Sequence, residues 1–242
     1  MSIKAVFFDA AGTLIKPARP VGEIYASLAA RYGIQASASE LSKRFRLCFA
    51  SAPPLAFPGA RPEEIKACER EWWKRLLRSV FQPWGSFERF EACFDELFSH
   101  FAKAESWRIY PETEATLAGL AQRGLKLAVV SNFDSRLLAV LDGLGIGRCF
   151  GEVIVSSEIG HAKPEREIFH AALERYRLRP EDVLHVGDSE TNDVQGATDA
   201  GLVAALVDRE RSSENHTAAP FRIRDLRGVL SIIDRLARQS TP

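Results

Sequence analysis

The sequence alternates short, almost wholly apolar runs with amphipathic helical segments, and this alternation restricts the fold more than any other feature. The apolar runs lie at 3–8, 125–130, 152–155, 183–186 and 202–207. Helices are predicted near 112–123, 134–143, 165–177, 192–200 and 225–238. Runs that are apolar on both faces are typical of parallel strands covered by helices. The alternation therefore predicts an α/β fold with an open, parallel, Rossmann-like sheet and right-handed crossovers.

Residues 18–105 interrupt this alternation, because they contain no convincing strand. Amphipathic helices are predicted there near 22–33, 38–50, 62–82 and 86–104. Trp72, Trp73 and a stripe of phenylalanines recur at helical spacing in the last two, and we expect them to form the core of the insert. The sequence thus predicts two domains: an α/β core of residues 1–17 and 106–242, and an inserted all-helical domain of residues 18–105.

Composition excludes several classes of partner. The 32 basic and 32 acidic residues cancel, so no long-range field attracts nucleic acid or an anionic membrane. The sequence shows neither a leader segment nor an apolar run long enough to span a bilayer. The four cysteines have no paired metal-site or redox spacing, which favours reduced thiols. We expect a cytoplasmic protein with a small-molecule ligand, no nucleic-acid or membrane partner, and a monomeric or small homo-oligomeric state.

Ligands of open α/β sheets bind beyond the carboxyl ends of the strands, so the residues after each run are informative. The first run ends at Asp9, and Gly12 and Thr13 follow in the next turn. A carboxylate at a strand end can attack phosphorus or carbon, or bind a hard cation such as Mg²⁺. Gly12 permits a sharp turn whose N–H groups can hold an anion. A simple turn-capping role fits Asp9 equally well.

The next two runs are also followed by residues suited to phosphate. Ser131 and Asn132 precede a predicted helix, where a hydroxyl, an amide and helix N-terminal N–H groups can bind a phosphate. The same residue types are common helix caps. Lys163 precedes Pro164 and the next helix, so its ammonium can neutralise charge beside an acidic nucleophile. Most lysines are simply solvated, and His161 is better suited to a loop than to a catalytic base.

The fourth run ends in Gly187 and Asp188, and Asp193 follows in the next segment. Mg²⁺ prefers oxygen ligands and usually takes one or two carboxylates. Asp188 beside Asp9 would supply that pair, and Asp193 is either another ligand or an orienting group. Each cluster alone has an ordinary structural explanation. Four such clusters after four successive strands together indicate an active site.

These segments resemble the four motifs of the haloacid dehalogenase (HAD) superfamily of hydrolases. VFFDAAGTL is similar to the first motif, VVSN to the second, Lys163-Pro164 to the third and GDSETND to the fourth. The helical insert lies where this superfamily carries its C1-type cap. SNFDSRL, KPEREIF and HVGD are most similar to the branch called haloacid dehalogenase-like hydrolase domain-containing 3.

The resemblance implies a HAD fold and a role for each cluster. Asp9 would be the nucleophile and form an aspartyl-enzyme intermediate. The transferring group would be held by phosphate-binding residues, namely Gly12, Thr13, Ser131, Asn132 and Lys163. The catalytic Lys163 would also steady Asp9. Mg²⁺ would be bound by Asp9, Asp188 and the backbone carbonyl of Ala11, with Asp193 as a further candidate ligand.

Ala11 departs from the pattern of the superfamily's phosphatases, which carry a second Asp two residues after the nucleophile. That Asp protonates the leaving oxygen and later activates water. A methyl group cannot exchange a proton, although the Ala11 carbonyl can still bind a metal. Because general acid–base help is worth about 10²–10⁴ in rate, the substitution is expected to slow turnover rather than binding.

Three interpretations follow from this departure. In the first, the protein is a Mg²⁺-dependent hydrolase of a small phosphorylated metabolite that either is slow or takes a replacement acid from the cap or loops. Glu23, Tyr25 and His161 are candidate donors, and the sequence does not select among them. In the second, it is a catalytically impaired protein that binds a phosphorylated ligand or a partner.

In the third interpretation it is a carbon-centred hydrolase. The 2-haloacid dehalogenases also lack the second Asp, but their fourth motif lacks the Gly-Asp that this chain keeps at 187–188. Phosphonoacetaldehyde hydrolases carry Ala at the same position and need a Schiff-base lysine in the cap. Lys43, Lys66 and Lys74 are the available lysines, without the surrounding pattern that such a site requires.

Overall fold

The computed structural model describes residues 3–85, 89–209 and 219–238. In chain order, the strands are β1 Ala5–Phe8, β2 Ile15–Pro17, β3 Trp107–Ile109, β4 Lys126–Ser131, β5 Glu152–Val155, β6 Val183–Gly187, β7 Val203–Val207 and β8 Phe221–Ile223. The helices are α1 Val21–Ala30, α2 Ala38–Ser51, α3 Ile65–Phe81, α4 Phe90–His100, α5 Thr113–Gln122, α6 Arg136–Gly143, α7 Ser156–Ile159, α8 Arg166–Tyr176, α9 Gly196–Asp199 and α10 Arg227–Arg238.

Six strands form one parallel sheet in the order β5-β4-β1-β6-β7-β8. In the centre of the sheet, Phe8 of β1 lies opposite Val129 of β4 and Val186 of β6. The segments that follow these three strands therefore leave the sheet at the same edge. The predicted fold class, an open parallel α/β sheet, is confirmed.

Both faces of the sheet are covered, as the apolar runs predict. Val6 and Phe8 pack with residues of α5, α6 and α10 on one face. Phe7 points to the opposite face, among residues of α8 and α9. Since side chains alternate along a strand, a run that is buried on both sides must be apolar at every position. This explains why β1 has no polar residue until Asp9, where it leaves the sheet.

The five predicted strands are all present, and three short strands were not predicted. β2, β3 and β8 have three residues each, which is too short for a pattern of alternating polarity to be recognised. The helix predicted over 192–200 is a π-helical turn at Glu190–Gln195 followed by α9. The predicted helix 86–104 corresponds to α4, and its first part, 86–88, lies outside the described residues.

Helices α1 to α4 pack around a core of their own between β2 and β3. This core contains Ile24, Leu41, Leu77 and Phe94. β2 and β3 pair antiparallel at the two connections between the helices and the sheet. The division into domains at residues 17/18 and 105/106 stays a prediction. Among the described residues, no helix is long and apolar enough to cross a bilayer.

Candidate active site

Three carboxylates gather at the carboxyl edge of the sheet. Asp9 directly follows β1, Asp188 directly follows the neighbouring strand β6, and Asp193 lies in the π-helical turn after β6. Their ligand oxygens all lie within 4.8 Å of one another. We call Asp9, Asp188 and Asp193 the carboxylate cluster. Like charges this close repel one another strongly, because their repulsion is only weakly screened away from water, and a neighbouring cation or a bound proton relieves it.

Lys163 supplies one positive charge to the cluster. Its Nζ donates to Asp9 Oδ1 at 2.7 Å and to Asp193 Oδ1 at 2.6 Å, and only 2% of its side chain is exposed. Burial disfavours the ammonium, but the charges of Asp193 and Asp9 outweigh this and raise the pKa of Lys163 to about 12. The lysine is therefore a permanent cation at neutral pH, held between two carboxylates.

The Asp193 carboxylate is fully committed to protein contacts. Its Oδ1 accepts from Lys163 and lies 2.9 Å from His185 Nε2, and its Oδ2 accepts from the Ser189 N–H at 3.0 Å. Burial opposes ionisation of Asp193, but Lys163 and His185 lower its pKa overall. Of the two roles predicted for Asp193, these contacts favour that of an orienting group for Lys163. His185 is absent from the sequence prediction, although a histidine within the apolar strand VLHVG is a visible signal.

Asp9 keeps one oxygen free. Its Oδ1 accepts from Ser131 Oγ at 2.9 Å as well as from Lys163, while no donor within the described parts of the chain reaches Oδ2. Burial raises the pKa of Asp9, and the ammonium of Lys163 opposes that shift. The free oxygen can therefore face an electrophile or a cation, while the bonded oxygen fixes the orientation of the carboxylate.

Two glycines make room for the other carboxylates. A Cβ built on Gly12 would lie 2.1 Å from Asp188 Oδ2, and one on Gly187 would lie 2.0 Å from Asp193 Cγ. Gly12 also has φ +97°, which side chains with a Cβ rarely adopt. Although Asp188 reaches solvent, partial burial and the charges of Asp9 and Asp193 raise its pKa to about 7.

The turn after Asp9 uses part of its own hydrogen-bonding capacity. Gly12 N donates to Ile15 O at 2.8 Å, and Thr13 N donates to Ala10 O at 3.3 Å. In the residues that the structure covers, the N–H groups of Ala10 and Ala11 donate to no backbone oxygen. The part of Gly12 and Thr13 in phosphate binding stays a prediction, and Ala10 and Ala11 carry the more available amides.

Asn132 holds Lys163 rather than the cluster itself. Its Nδ2 donates to Lys163 O at 2.8 Å, and Lys163 N donates to Asn132 Oδ1 at 2.7 Å. This two-way clamp ties the segment after β4 to the segment that carries the lysine. Ser131 and Asn132 are thus brought to the centre as predicted, the first against Asp9 and the second against the backbone of Lys163.

The three residues considered as a replacement acid have different locations. Glu23 is exposed and pairs with Arg19, and His161 is 42% exposed, with Nδ1 2.7 Å from Glu165 Oε2. Tyr25 is buried and lines a cavity together with Ala11, and burial raises the pKa of its hydroxyl. Of the cap lysines, Lys43 and Lys66 are exposed, and Lys74 pairs with Glu91 at 2.5 Å.

A cavity of about 220 Å³ lies between the inserted helices and this edge of the sheet. Ala11 and Asn132 line it on the side of the sheet. Most of its remaining surface comes from side chains of the insert, six of them aromatic: Tyr25, Phe45, Phe49, Trp73, Phe98 and Phe101. We call this space the aromatic cavity. Trp72 belongs to the core of the insert as predicted, whereas Trp73 and Phe98 line the cavity, a role that helical spacing alone does not show.

Comparison with known proteins identifies the family. Residues 3–201 match the haloacid dehalogenase-like hydrolases. The chain belongs to this family. It is 36% identical over 209 residues to mouse (Mus musculus) haloacid dehalogenase-like hydrolase domain-containing protein 3, which covers 86% of this chain and 82% of the mouse protein. The predicted resemblance to the HAD hydrolases and to this branch is confirmed.

Two further relatives show how diverse the HAD hydrolases similar to this one are. Phosphoserine phosphatase of Thermus thermophilus is 29% identical over 247 residues, covering 94% of this chain and 98% of that protein. The L-2-haloacid dehalogenase of Xanthobacter autotrophicus shares the fold, with a TM-score of 0.72 at 20% identity over 99% of this chain and all of that one. Membership in the family therefore establishes a hydrolase fold, while the bond that is cleaved depends on the site.

Proposed function

We propose that this HAD hydrolase is a Mg²⁺-dependent phosphatase that acts on a small phosphorylated molecule through an aspartyl-phosphate at Asp9. The carrying observation is the arrangement around that residue: Lys163 and Ser131 bind Oδ1, Oδ2 is free, and Asp188 lies beside it. A fixed carboxylate with one free oxygen suits nucleophilic attack. A permanent neighbouring cation suits a phosphate, which carries negative charge throughout the reaction.

The carboxylate cluster fits a magnesium ion. Asp9 and Asp188 offer hard oxygen ligands within 4.8 Å of each other, and the missing Cβ of Gly12 leaves room for the Asp188 carboxylate beside the turn. We assign Asp9, Asp188 and the Ala11 carbonyl as the protein ligands, with Asp193 holding Lys163. When bound, Mg²⁺ would neutralise charge on the phosphate and make phosphorus more electrophilic.

Asp9, Lys163 and Ala11 have different roles in the two chemical steps. Oδ2 of Asp9 forms a bond to phosphorus as the bond from phosphorus to the leaving oxygen breaks, and the electron pair leaves with that oxygen. Lys163 stays charged and lies against both the nucleophile and the phosphate. In the second step water attacks phosphorus, the bond from phosphorus to Asp9 Oδ2 breaks, the carboxylate is released and the proton of the water passes to solvent. Ala11 offers no proton in either step, so the enzyme is slow with poor leaving groups.

The first test measures binding. By calorimetry, we expect the metal-free protein to bind Mg²⁺, and the Mg²⁺-loaded protein to bind beryllium fluoride, a mimic of the aspartyl-phosphate. Asp9→Asn is expected to abolish fluoride-complex binding, while Asp199→Asn, at an exposed carboxylate outside the carboxylate cluster, leaves it unchanged. Failure of the Mg²⁺-loaded wild-type protein to bind beryllium fluoride would contradict the proposal.

The second test measures turnover with a panel of phosphate esters. Hydrolysis that Asp9→Asn reduces by at least about 10³-fold supports an enzyme. Tight fluoride-complex binding without hydrolysis of any ester would instead support the catalytically impaired binding protein. Metal-independent chloride release from 2-chloropropionate would favour the carbon-centred alternative.

A further inference from the structure

We infer that the substrate is an aryl phosphate, with its ring in the aromatic cavity and its phosphate at Asp9. This inference rests on the proposed function and specifies the organic group of the ester. The cavity adjoins the proposed reaction centre, because Ala11 and Asn132 line it and the residue before Asn132, Ser131, binds Asp9. A group attached to phosphorus above Asp9 therefore extends into a space whose walls are mainly rings.

The cavity offers no charge to a second ionic group. Arg136 is the single charged residue among its described lining residues, and Asp134 neutralises it through contacts of 2.8 Å to Nε and 2.6 Å to Nη2. The remaining nitrogen of Arg136 donates to Phe98 O at 2.8 Å. A second phosphate, a carboxylate or an ammonium would therefore be desolvated without a partner, which is strongly unfavourable.

The cavity is equally poor in hydrogen bonds for a sugar. Trp73 Nε1 donates to Asp134, Trp107 Nε1 donates to Phe101 O, and the amide of Asn132 is committed to Lys163. Among the polar side chains described as lining the cavity, that of Tyr25 has a hydroxyl group without a hydrogen-bond partner. Tyr25 is only 2% exposed. Each unpaired hydroxyl of a sugar would cost about 1–3 kcal/mol, whereas an apolar ring with one polar substituent near Tyr25 fits.

The volume fits a single ring. An engineered apolar cavity of about 150 Å³ in another protein holds benzene, and the aromatic cavity measures about 220 Å³. Rings stack or meet edge to face with the surrounding aromatic side chains at favourable geometry. A phenyl group with a small substituent therefore fits the space.

The absence of a general acid points to the same class of ester. A phenol has a pKa of about 10, whereas an aliphatic alcohol is closer to water, at ~16. A phenolate can therefore leave phosphorus with its electron pair and without a proton, which an alkoxide does poorly. Asp9 Oδ2 gains the bond to phosphorus that the phenolate oxygen loses, and water later returns the phosphoryl group to solution as phosphate. Ala11 and the aromatic walls of the cavity are thus suited to the same class of substrate, an aryl phosphate.

Binding can be tested without turnover. With Mg²⁺-loaded protein, we expect phenylphosphonate to bind about 10- to 100-fold more tightly than propylphosphonate, since the ring is transferred from water to an apolar site. Val21→Phe, at a half-buried lining position, is expected to remove this preference, and Phe49→Lys at the rim to weaken it. Leu47→Phe, on the exposed side of α2, is the control.

Fluoride-complex binding in every variant separates the two proposals. If beryllium fluoride binds normally but phenylphosphonate and propylphosphonate bind equally, or Val21→Phe keeps the preference, the aryl inference is wrong and the proposed function stands. If beryllium fluoride does not bind to the wild-type protein, the proposed function fails and the inference fails with it.

Three esters separate ring recognition from leaving-group chemistry. Phenyl phosphate has the ring and a phenolate leaving group, benzyl phosphate has the ring and an alkoxide, and propyl phosphate has neither advantage. We expect kcat for phenyl phosphate to exceed that for benzyl phosphate by about 10²-fold or more, with KM values for both below that of propyl phosphate. A propyl ester hydrolysed as fast as the phenyl ester would overturn the inference.

Discussion

The carboxylate cluster and the aromatic cavity adjoin each other and are built on opposite physical principles. In the cluster, charges are buried and each committed oxygen has a specific partner, as in the contacts of Lys163 with Asp9 and Asp193. In the cavity, Asp134 already neutralises the cation of Arg136, and most of the described lining side chains are apolar, many of them aromatic. In the proposed function these two regions have different tasks: the strand ends hold the reacting group, and the inserted helices select what is attached to it.

The carboxylate cluster and the aromatic cavity also differ in how strongly a substitution in each is expected to change the stability of the fold. Charges away from water stabilise the fold only as complete sets, because removing one partner strands the other. Apolar walls tolerate exchange of one ring for another at lower cost. The cluster is therefore expected to be sensitive to single substitutions in both activity and stability, while the cavity can change its preference without loss of the fold.

The largest effect is expected from restoring an acid to the centre. Ala11→Asp should raise kcat for propyl phosphate by about 10²–10⁴-fold, because an alkoxide would then leave with a proton. Ala11→Asn is the matched control, of nearly equal size without a titratable proton. Equal steady-state rates for the two variants would show that the missing acid does not limit turnover.

A second prediction compares a buried and an exposed lysine. Lys163→Met should reduce the free energy of unfolding by about 3–5 kcal/mol, since it leaves two buried carboxylates without their cation. Lys4 pairs with Asp182 at 3.0 Å, but 54% of its side chain is exposed, so Lys4→Met should cost at most about 1 kcal/mol. Urea denaturation at neutral pH measures both, and similar losses would contradict the role assigned to Lys163.

A third prediction concerns the link between the two regions. Glu69 of α3 is 2% exposed and accepts from Ser135 N at 2.8 Å, Ser135 Oγ at 2.6 Å and Ser157 Oγ at 2.6 Å. These contacts tie an inserted helix to the segment after Asn132 and to α7. In Glu69→Gln, the NH₂ group of the amide would face the N–H and O–H groups that now donate to Glu69. The substitution should therefore lower the free energy of unfolding by about 1–3 kcal/mol.

Glu71→Gln on the same helix is the control for Glu69, since Glu71 is exposed and pairs with Arg75. Glu71→Gln should lower the free energy of unfolding by less than about 1 kcal/mol. Thermal unfolding of both variants measures the difference. Equal melting temperatures would show that the link through Glu69 contributes little to the attachment of α3.

The smallest effect is expected at Asp188 in metal-free protein. The pKa of Asp188 is about 7 in the fold, above its usual value of 3.8, so the folded state binds the extra proton between these values. Its ionisation therefore lowers stability as pH rises from about 4 to 7. Asp188→Asn should raise the melting temperature by a few degrees at pH 8, the shift expected for a small change in the free energy of unfolding. At pH 4 it should hardly change the melting temperature.

With Mg²⁺ present, the order of stability of the wild-type protein and Asp188→Asn at pH 8 is expected to reverse. Bound Mg²⁺ should stabilise wild type at pH 8 by mass action, and Asp188→Asn should lose most of that gain. A variant that is less stable than wild type in EDTA at pH 8 would contradict the repulsion assigned to Asp188.

Much of the fold and the centre could be predicted because strand ends are encoded locally. Asp9, Ser131 and Asp188 are polar residues directly after apolar runs, and parallel strands bring their ends to one edge. His185 was missed although a histidine inside an apolar run is a visible signal, and Glu69 was missed because a glutamate in a helical pattern has the same sequence signature whether it is buried or exposed. The short strands β2, β3 and β8 carry too few residues for a pattern.

The sequence by itself determined the parallel sheet, the helical insert, the order of the polar clusters and the presence of Ala11 two residues after Asp9. Only the tertiary structure decided how these residues share their charges, because Asp193 and Lys163 meet across 30 positions and Lys163 and Asp9 across 154. It also decided that Trp73 and Phe98 face a cavity, since helical spacing defines a buried side but not what lies opposite. Distances between remote side chains depend on packing, and packing is a property of the whole fold.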